Sequence, residues 1–161
     1  MTDVRPIPSA QVLRRGVSFG LCAGVVGGIA WFLVVLGTTS MTTYLIPALG
    51  IAVAYGVHLG MHRPGRKAAV VSVSITAVTV ALSLYYVERH LIVTWFSDNG
   101  DNAAIPLVPY LDWIGSVLRH AFRKSPAAAV YTVLALVVGG WFGFRGFTHE
   151  HRPDTPVVRG Q

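Results

Sequence analysis

The sequence predicts an all-α integral membrane protein: a four-helix transmembrane bundle with an additional extracytoplasmic amphipathic interfacial helix. Three observations carry that expectation. The 161-residue chain is 53% hydrophobic and only 12% charged, with a mean hydropathy of +0.56, whereas a soluble domain carries about 25% charged residues. No Asp, Glu, Lys or Arg interrupts the chain between Arg15 and Arg63. Apolar stretches near the length that crosses a bilayer as a helix, about 20 residues, recur at about 17–36, 44–61, 68–87 and 127–144. A helix is the natural solution, because lipid offers no water to satisfy free backbone groups. The chain therefore reads as one membrane domain, 16–144, between cytoplasmic tails at 1–15 and 145–161.

Residues Met1 to Gln11 hold Pro6, Pro8 and Ser9 and little apolar content, and such a terminus is expected to be disordered. Ser9 is placed to cap a brief helix through Arg15, letting the first helix begin before the bilayer. The first span opens with Gly16, Gly20, Gly24 and Gly28, one glycine every fourth residue. Its apolar run exceeds the typical 7–15 residues of a signal sequence, so it is read as a retained first membrane helix. A short polar, uncharged turn over 37–43 leads directly into an antiparallel second span.

Pro47 falls in the first turn of that second span, where a missing amide costs little. Ala48, Ala52, Gly56 and Gly60 share one of its faces. His62-Arg63-Pro64-Gly65-Arg66-Lys67 supplies a turn with three fixed positive charges. In the third span, residues 68–87 suffice to cross, yet apolar residues resume after Glu88-Arg89-His90. A helix continuing to Phe96 would be about 43 Å long, so its end either projects beyond the membrane or folds back along the interface. Ser97-Asp98-Asn99-Gly100-Asp101-Asn102 marks a turn.

Leu107, Leu111, Ile114, Leu118 and Phe122 then repeat at helical spacing. An interfacial helix is expected over about 107–124, with Trp113 near headgroup depth. Ser125-Pro126 sets an N-cap with proline at the first helical position. The fourth span carries a small-residue face at Ala135, Gly139 and Gly143, and Trp141, Phe142, Phe144 and Phe147 at its exit.

Orientation follows from Lys and Arg. The two tails and the second connection hold nine (Arg5, Arg14, Arg15, Arg63, Arg66, Lys67, Arg145, Arg152, Arg159), and the third connection holds four (Arg89, Arg119, Arg123, Lys124). The third connection also holds Glu88, Asp98, Asp101 and Asp112, which bring its net charge to zero. The positive-inside rule places both termini in the cytoplasm. The richness in Ala, Val, Gly and Arg suggests a bacterial cell membrane.

The formal charge of +6 is spread over the ends of apolar segments and forms no patch for nucleic acid. Cys22 is alone, which excludes a disulfide framework, and is expected to be a small core residue. The small-residue faces (Gly16, Gly20, Gly24, Gly28, Ala52, Gly56, Gly139 and Gly143) point to close helix packing, either within the chain or between copies. His58 and His62 lie four apart on one face, yet Leu59 stands where a metalloprotease helix carries Glu. Antiparallel packing would set His58 beside the hydroxyls of Ser72, Ser74 and Thr76. Glu88, Arg89 and His90 form the most conspicuous polar group, since ionisable residues near a bilayer are costly and often functional. Glu88 is expected to pair with Arg89, or with Arg119 or Arg123 of the interfacial helix. His90 and His120 are the one histidine pair at similar depth for a bis-histidine haem.

No nucleophile, phosphate loop or metal-ligand spacing stands out, so no cofactor and no metal is expected. The sequence therefore predicts a non-enzymatic protein acting by helix packing, either with itself as a homo-oligomer or with a larger membrane protein partner. The alternative is a small transporter or channel that uses Glu88 as its proton or cation group.

Overall fold

The computed structural model describes residues 9–38, 42–100 and 107–147. Five α-helices follow one another: α1 (Ser9–Thr38), α2 (Ile46–Met61), α3 (Arg66–Asp98), α4 (Leu111–Lys124) and α5 (Pro126–Arg145), with one 3₁₀ turn, Thr43–Leu45, ahead of α2. Among the described residues all regular structure is helical. Four helices, α1, α2 with its leading turn, α3 and α5, are long and apolar enough to cross a membrane. The disorder expected of the tails at 1–8 and 148–161, and part of the turns expected at 37–43 and 97–102, lie outside the described residues.

The helix boundaries refine the expectations from sequence. α1 runs without a break from Ser9 to Thr38, so the brief helix expected through Arg15 and the first span are one helix. α3 is likewise continuous over 33 residues, about 50 Å at 1.5 Å per residue. Leu91 to Phe96 therefore project along the helix axis and do not fold back. The amphipathic helix begins at Leu111, not at 107: Pro109 disfavours the helical conformation at Val108 before it, and Tyr110 is extended at the N-cap. Leu107 is exposed outside it. Ser125 occupies the N-cap of α5 with an extended backbone, but no side-chain bond caps that helix.

Small residues set how the helices meet. α1 lies antiparallel to α2: a Cβ on Gly56 would stand 2.6 Å from the carbonyl oxygen of Phe19, and Gly27 faces Leu49. The same helix lies parallel to α3, with Gly20 against Ile75, Gly24 against Thr79 and Gly28 against Ser83. α5 closes the ring, antiparallel to α3 through Gly143 on Ala68 and Ala69 and Gly139 on Thr76, and beside α2 where Gly50 meets the backbone of Ala135. Missing Cβ atoms let backbones approach closely, so dispersion contacts accumulate along each helix pair.

The interior divides into two clusters. Trp31, Val35, Ile46, Leu49, Val80 and Leu84 pack toward the end that carries α4. Val53, Val57, Met61, Ala68 and Ile75 pack toward the end that carries the 62–65 connection. Two polar groups are tied off inside. Trp31 donates from Nε1 to the carbonyl oxygen of Thr42 at 3.1 Å and to its hydroxyl at 3.2 Å. Ser72 donates to the carbonyl oxygen of Gly139 at 2.9 Å. Cys22 is exposed on α1, contrary to the core position expected of it. It falls on the side turned away from the glycine ladder, next to Leu21, Val25 and Val26, which are exposed as well.

Candidate functional site

Glu88 is the one Asp, Glu, Lys, Arg or His side chain among the described residues that is wholly inside the fold, at 0% exposure. Neither of its carboxylate oxygens accepts a hydrogen bond. The local reason is the length of α3. Its inward stripe of Ser72, Ile75, Thr76, Thr79 and Val80 faces α1 and α5. At about 100° per residue Glu88 points roughly 160° away from Ser72, so it is buried on a different side of α3 from that stripe.

α4 packs on both α3 and α5, with Val117 and Ala121 buried and Leu118 and Phe122 against the cluster that contains Val87. Glu88 follows Val87 in α3 and is buried next to this contact. The charged groups that act on it across this contact are Lys124, then His120, both on α4 and both exposed at the surface. An ionised carboxylate deprived of water and of hydrogen-bond donors is costly. A proton or a bound cation at Glu88 removes that cost.

No hydrogen bond joins Glu88 to Arg89, Arg119 or Arg123, since neither carboxylate oxygen has a hydrogen-bond partner. Helical rotation separates the three consecutive residues. Arg89 is half-buried, and the His90 ring meets the edge of Phe32 on α1 with centroids 5.8 Å apart. His58 belongs to the opposite end of the bundle. Its ring lies 5.8 Å from that of Phe147 and beside Gly146. The hydroxyls expected near it lie elsewhere: Ser72 bonds to Gly139, Thr76 faces the same glycine and Ser74 is exposed. Glu88, Arg89, His90 and His58 therefore do not form one polar site. Among the described residues no three His, Cys, Asp or Glu side chains converge as a metal-binding group.

The ladder glycines all face partners within the chain. Gly16 meets Met61, Gly20 meets Val57 and Ile75, Gly24 and Gly28 meet α3. Ala52 lies near Gly27, Gly56 and Gly60 meet α1, and Gly139 and Gly143 meet α3. Sequence reasoning missed Gly50, whose contact with the Ala135 backbone is among the tightest, because it lies off the four-residue repeat of α2. It also missed Val117 and Ala121. Their spacing with Ile114 and Leu118 would have marked a wider buried stripe on α4.

A scan against protein-family models found no match, and searches of curated proteins and of solved structures found none either.

Proposed function

We propose that this chain is a small multi-pass membrane protein in which Glu88 binds a proton or a small cation beneath α4. The observation that carries the reading is a carboxylate at 0% exposure whose two oxygens have no hydrogen-bond partner. In this reading α1, α2, α3 and α5 cross the membrane. Both chain ends lie on the cytoplasmic side, as the nine-to-four distribution of Lys and Arg favours. α4 lies at the extracytoplasmic interface, its polar residues outward and Val117 and Ala121 inward. Arg66 and Lys67 mark the cytoplasmic edge of α3. Glu88 then lies about 33 Å further along the helix, near the far boundary of a hydrocarbon core about 30 Å thick. A carboxylate at that depth is reached from the extracytoplasmic water by a small movement of α4. Lys124 and His120 of α4 act on Glu88 electrostatically, and the Lys124 charge opposes a bound cation and keeps its residence short.

The test is flux in proteoliposomes. The purified protein is reconstituted with a pH-sensitive dye inside, and proton entry is followed under an imposed gradient, then sodium or potassium entry with matching indicators. Flux by the wild type that is lost in Glu88→Gln supports the reading. Absence of flux in the wild type, or equal flux in Glu88→Gln, ends it.

A second reading is an accessory role, in which the protein packs against a copy of itself or a larger membrane protein. It draws on the apolar outer surface of α1, where Val25, Val26, Ile29 and Leu33 are all more than half exposed. The glycine ladder gives it no support, since that face is occupied within the chain. Native mass spectrometry from mild detergent tests it through subunit number and retained partners.

A further inference from the structure

We infer that the end of the bundle opposite α4 carries a binding groove for an anionic phospholipid. The groove follows from unequal helix lengths. α1 begins at Ser9, about two turns before Arg15 and Gly16, which meet Gly60 and Met61 near the end of α2. The first two turns of α1 therefore run on past the last turn of α2, with Val12 packed on the cluster that holds Met61 and Ala68. α2 stops at Met61 because His62 takes the left-handed conformation, at φ 53°, and donates its backbone N–H to the His58 carbonyl. Arg63, Pro64 and Gly65 then lead to α3. The overhang, this connection and the first turn of α3 enclose an open groove of about 1140 Å³.

The lining is two-sided in character. Leu13, Phe19 and Leu59 supply exposed apolar surface. Arg15, Arg63, Arg66 and Lys67 supply four fixed positive charges, and no Asp or Glu lines the groove. Every described carboxylate (Glu88, Asp98 and Asp112) belongs to the end that carries α4. The first turn of α3 adds to the same sign, since it holds no acidic residue and no side chain caps it. A cluster of Lys and Arg at a membrane edge attracts anionic headgroups. Here the cations stand over apolar walls, so the occupant that fits must carry a phosphate and a hydrocarbon chain on one molecule. This inference rests on the four helices crossing a membrane, and it is independent of Glu88.

The experiment is native mass spectrometry of the protein in mild detergent, titrated with phosphatidylglycerol and, separately, phosphatidylcholine. The wild type retains phosphatidylglycerol preferentially. The triple variant Arg63→Gln, Arg66→Gln, Lys67→Gln binds it about 100-fold more weakly, at about fivefold per cation removed. A control with Arg119→Gln and Arg123→Gln on α4 lowers the net charge without touching the groove, and it keeps wild-type retention. Helical content and melting temperature are read for each variant, and if the triple variant unfolds, Arg66→Gln alone is expected to show its fivefold share. Equal retention of the two lipids by the wild type overturns the inference, as does equal loss in the control. Displacement of phosphatidylglycerol by millimolar inorganic phosphate also overturns it, since the site would then recognise phosphate without a chain.

Discussion

Gly60 of α2 and Gly16 of α1 meet backbone to backbone, and a Cβ on Gly60 would stand 2.6 Å from the Gly16 Cα. No side chain can rotate away to relieve that approach, because the neighbouring atoms are main chain. The contact fixes the register of α1 on α2, and through it the length of the α1 overhang.

Gly60→Ala is therefore expected to destabilise the protein by about 1–3 kcal/mol, the range for overpacking a filled interior. Gly115 is the counterpart, a glycine in α4 with nothing within 4 Å of a new Cβ. Gly115→Ala is expected to stabilise by about 0.5–1 kcal/mol through helix propensity. Thermal unfolding in one detergent, followed by circular dichroism, compares the two. Equal effects would mean that the helices do not meet at Gly60.

Trp31 and Thr42 give a graded pair. Trp31→Phe removes a donor that serves both the carbonyl and the hydroxyl of Thr42, and it leaves a gap in a site only 3% exposed. A loss of about 2–3 kcal/mol is expected. Thr42→Val keeps the carbonyl acceptor, so its cost is expected to stay near 0.5–1 kcal/mol. The order of the two melting temperatures is the check.

Ser72 and Thr76, one helical turn apart on α3, are expected to respond in opposite directions. Ser72 donates to Gly139, and Ser72→Ala is expected to cost about 0.6 kcal/mol, typical of a hydrogen bond between membrane helices. The Thr76 hydroxyl is buried and has no partner. Replacing it with the isosteric Val removes an unsatisfied group and is expected to be neutral or stabilising. Destabilisation by Thr76→Val would show that the hydroxyl is bonded in the membrane.

If α4 covers Glu88, access to the carboxylate is expected to depend on Ala121, which is fully buried. In Ala121→Lys the added charge cannot be accommodated there, and α4 is expected to lift. Labelling of Glu88 by a water-soluble carbodiimide, located by peptide mass spectrometry, is expected to be slow in the wild type and several-fold faster in the variant. Fast labelling in both would mean that α4 does not cover the carboxylate.

Glu88→Gln keeps the shape of the side chain and removes its charge. If a cation occupies the wild-type site, added salt of that cation at about 100 times its dissociation constant is expected to stabilise the wild type by about 2.7 kcal/mol and leave the variant unchanged. Proton occupancy leaves both proteins indifferent to the choice of cation. Melting curves in sodium, potassium and choline chloride separate the cases.

The apolar spans, the glycine and alanine faces and the basic 62–67 connection are properties of short sequence windows, and they were legible without a structure. The continuity of α3 past Glu88 was not, because Glu88-Arg89-His90 looks like a helix end when each residue is judged by its own polarity. Inside the fold only Glu88 is fully buried, Arg89 is half-buried and His90 rests on Phe32. The expected hydroxyl partners of His58 failed for a related reason. Antiparallel order predicted which segments were level but not which side of α2 faced α3, and His58 faces Phe147 instead.

Four helices long and apolar enough to cross a membrane, the small residues through which they touch and the ends where positive charge collects all follow from composition and spacing along one chain. The packing of the helices adds that the glycine ladder is consumed within the chain, that Gly50 is a closest-approach point, that Glu88 is buried without a hydrogen-bond partner, and that α1 runs past the end of α2 beside a basic groove. Each of these depends on the rotation of a helix about its axis and its slide along a neighbour. A rotation of about 100° per residue can move a side chain from lipid to core while its place in the sequence, and its hydropathy, stay the same.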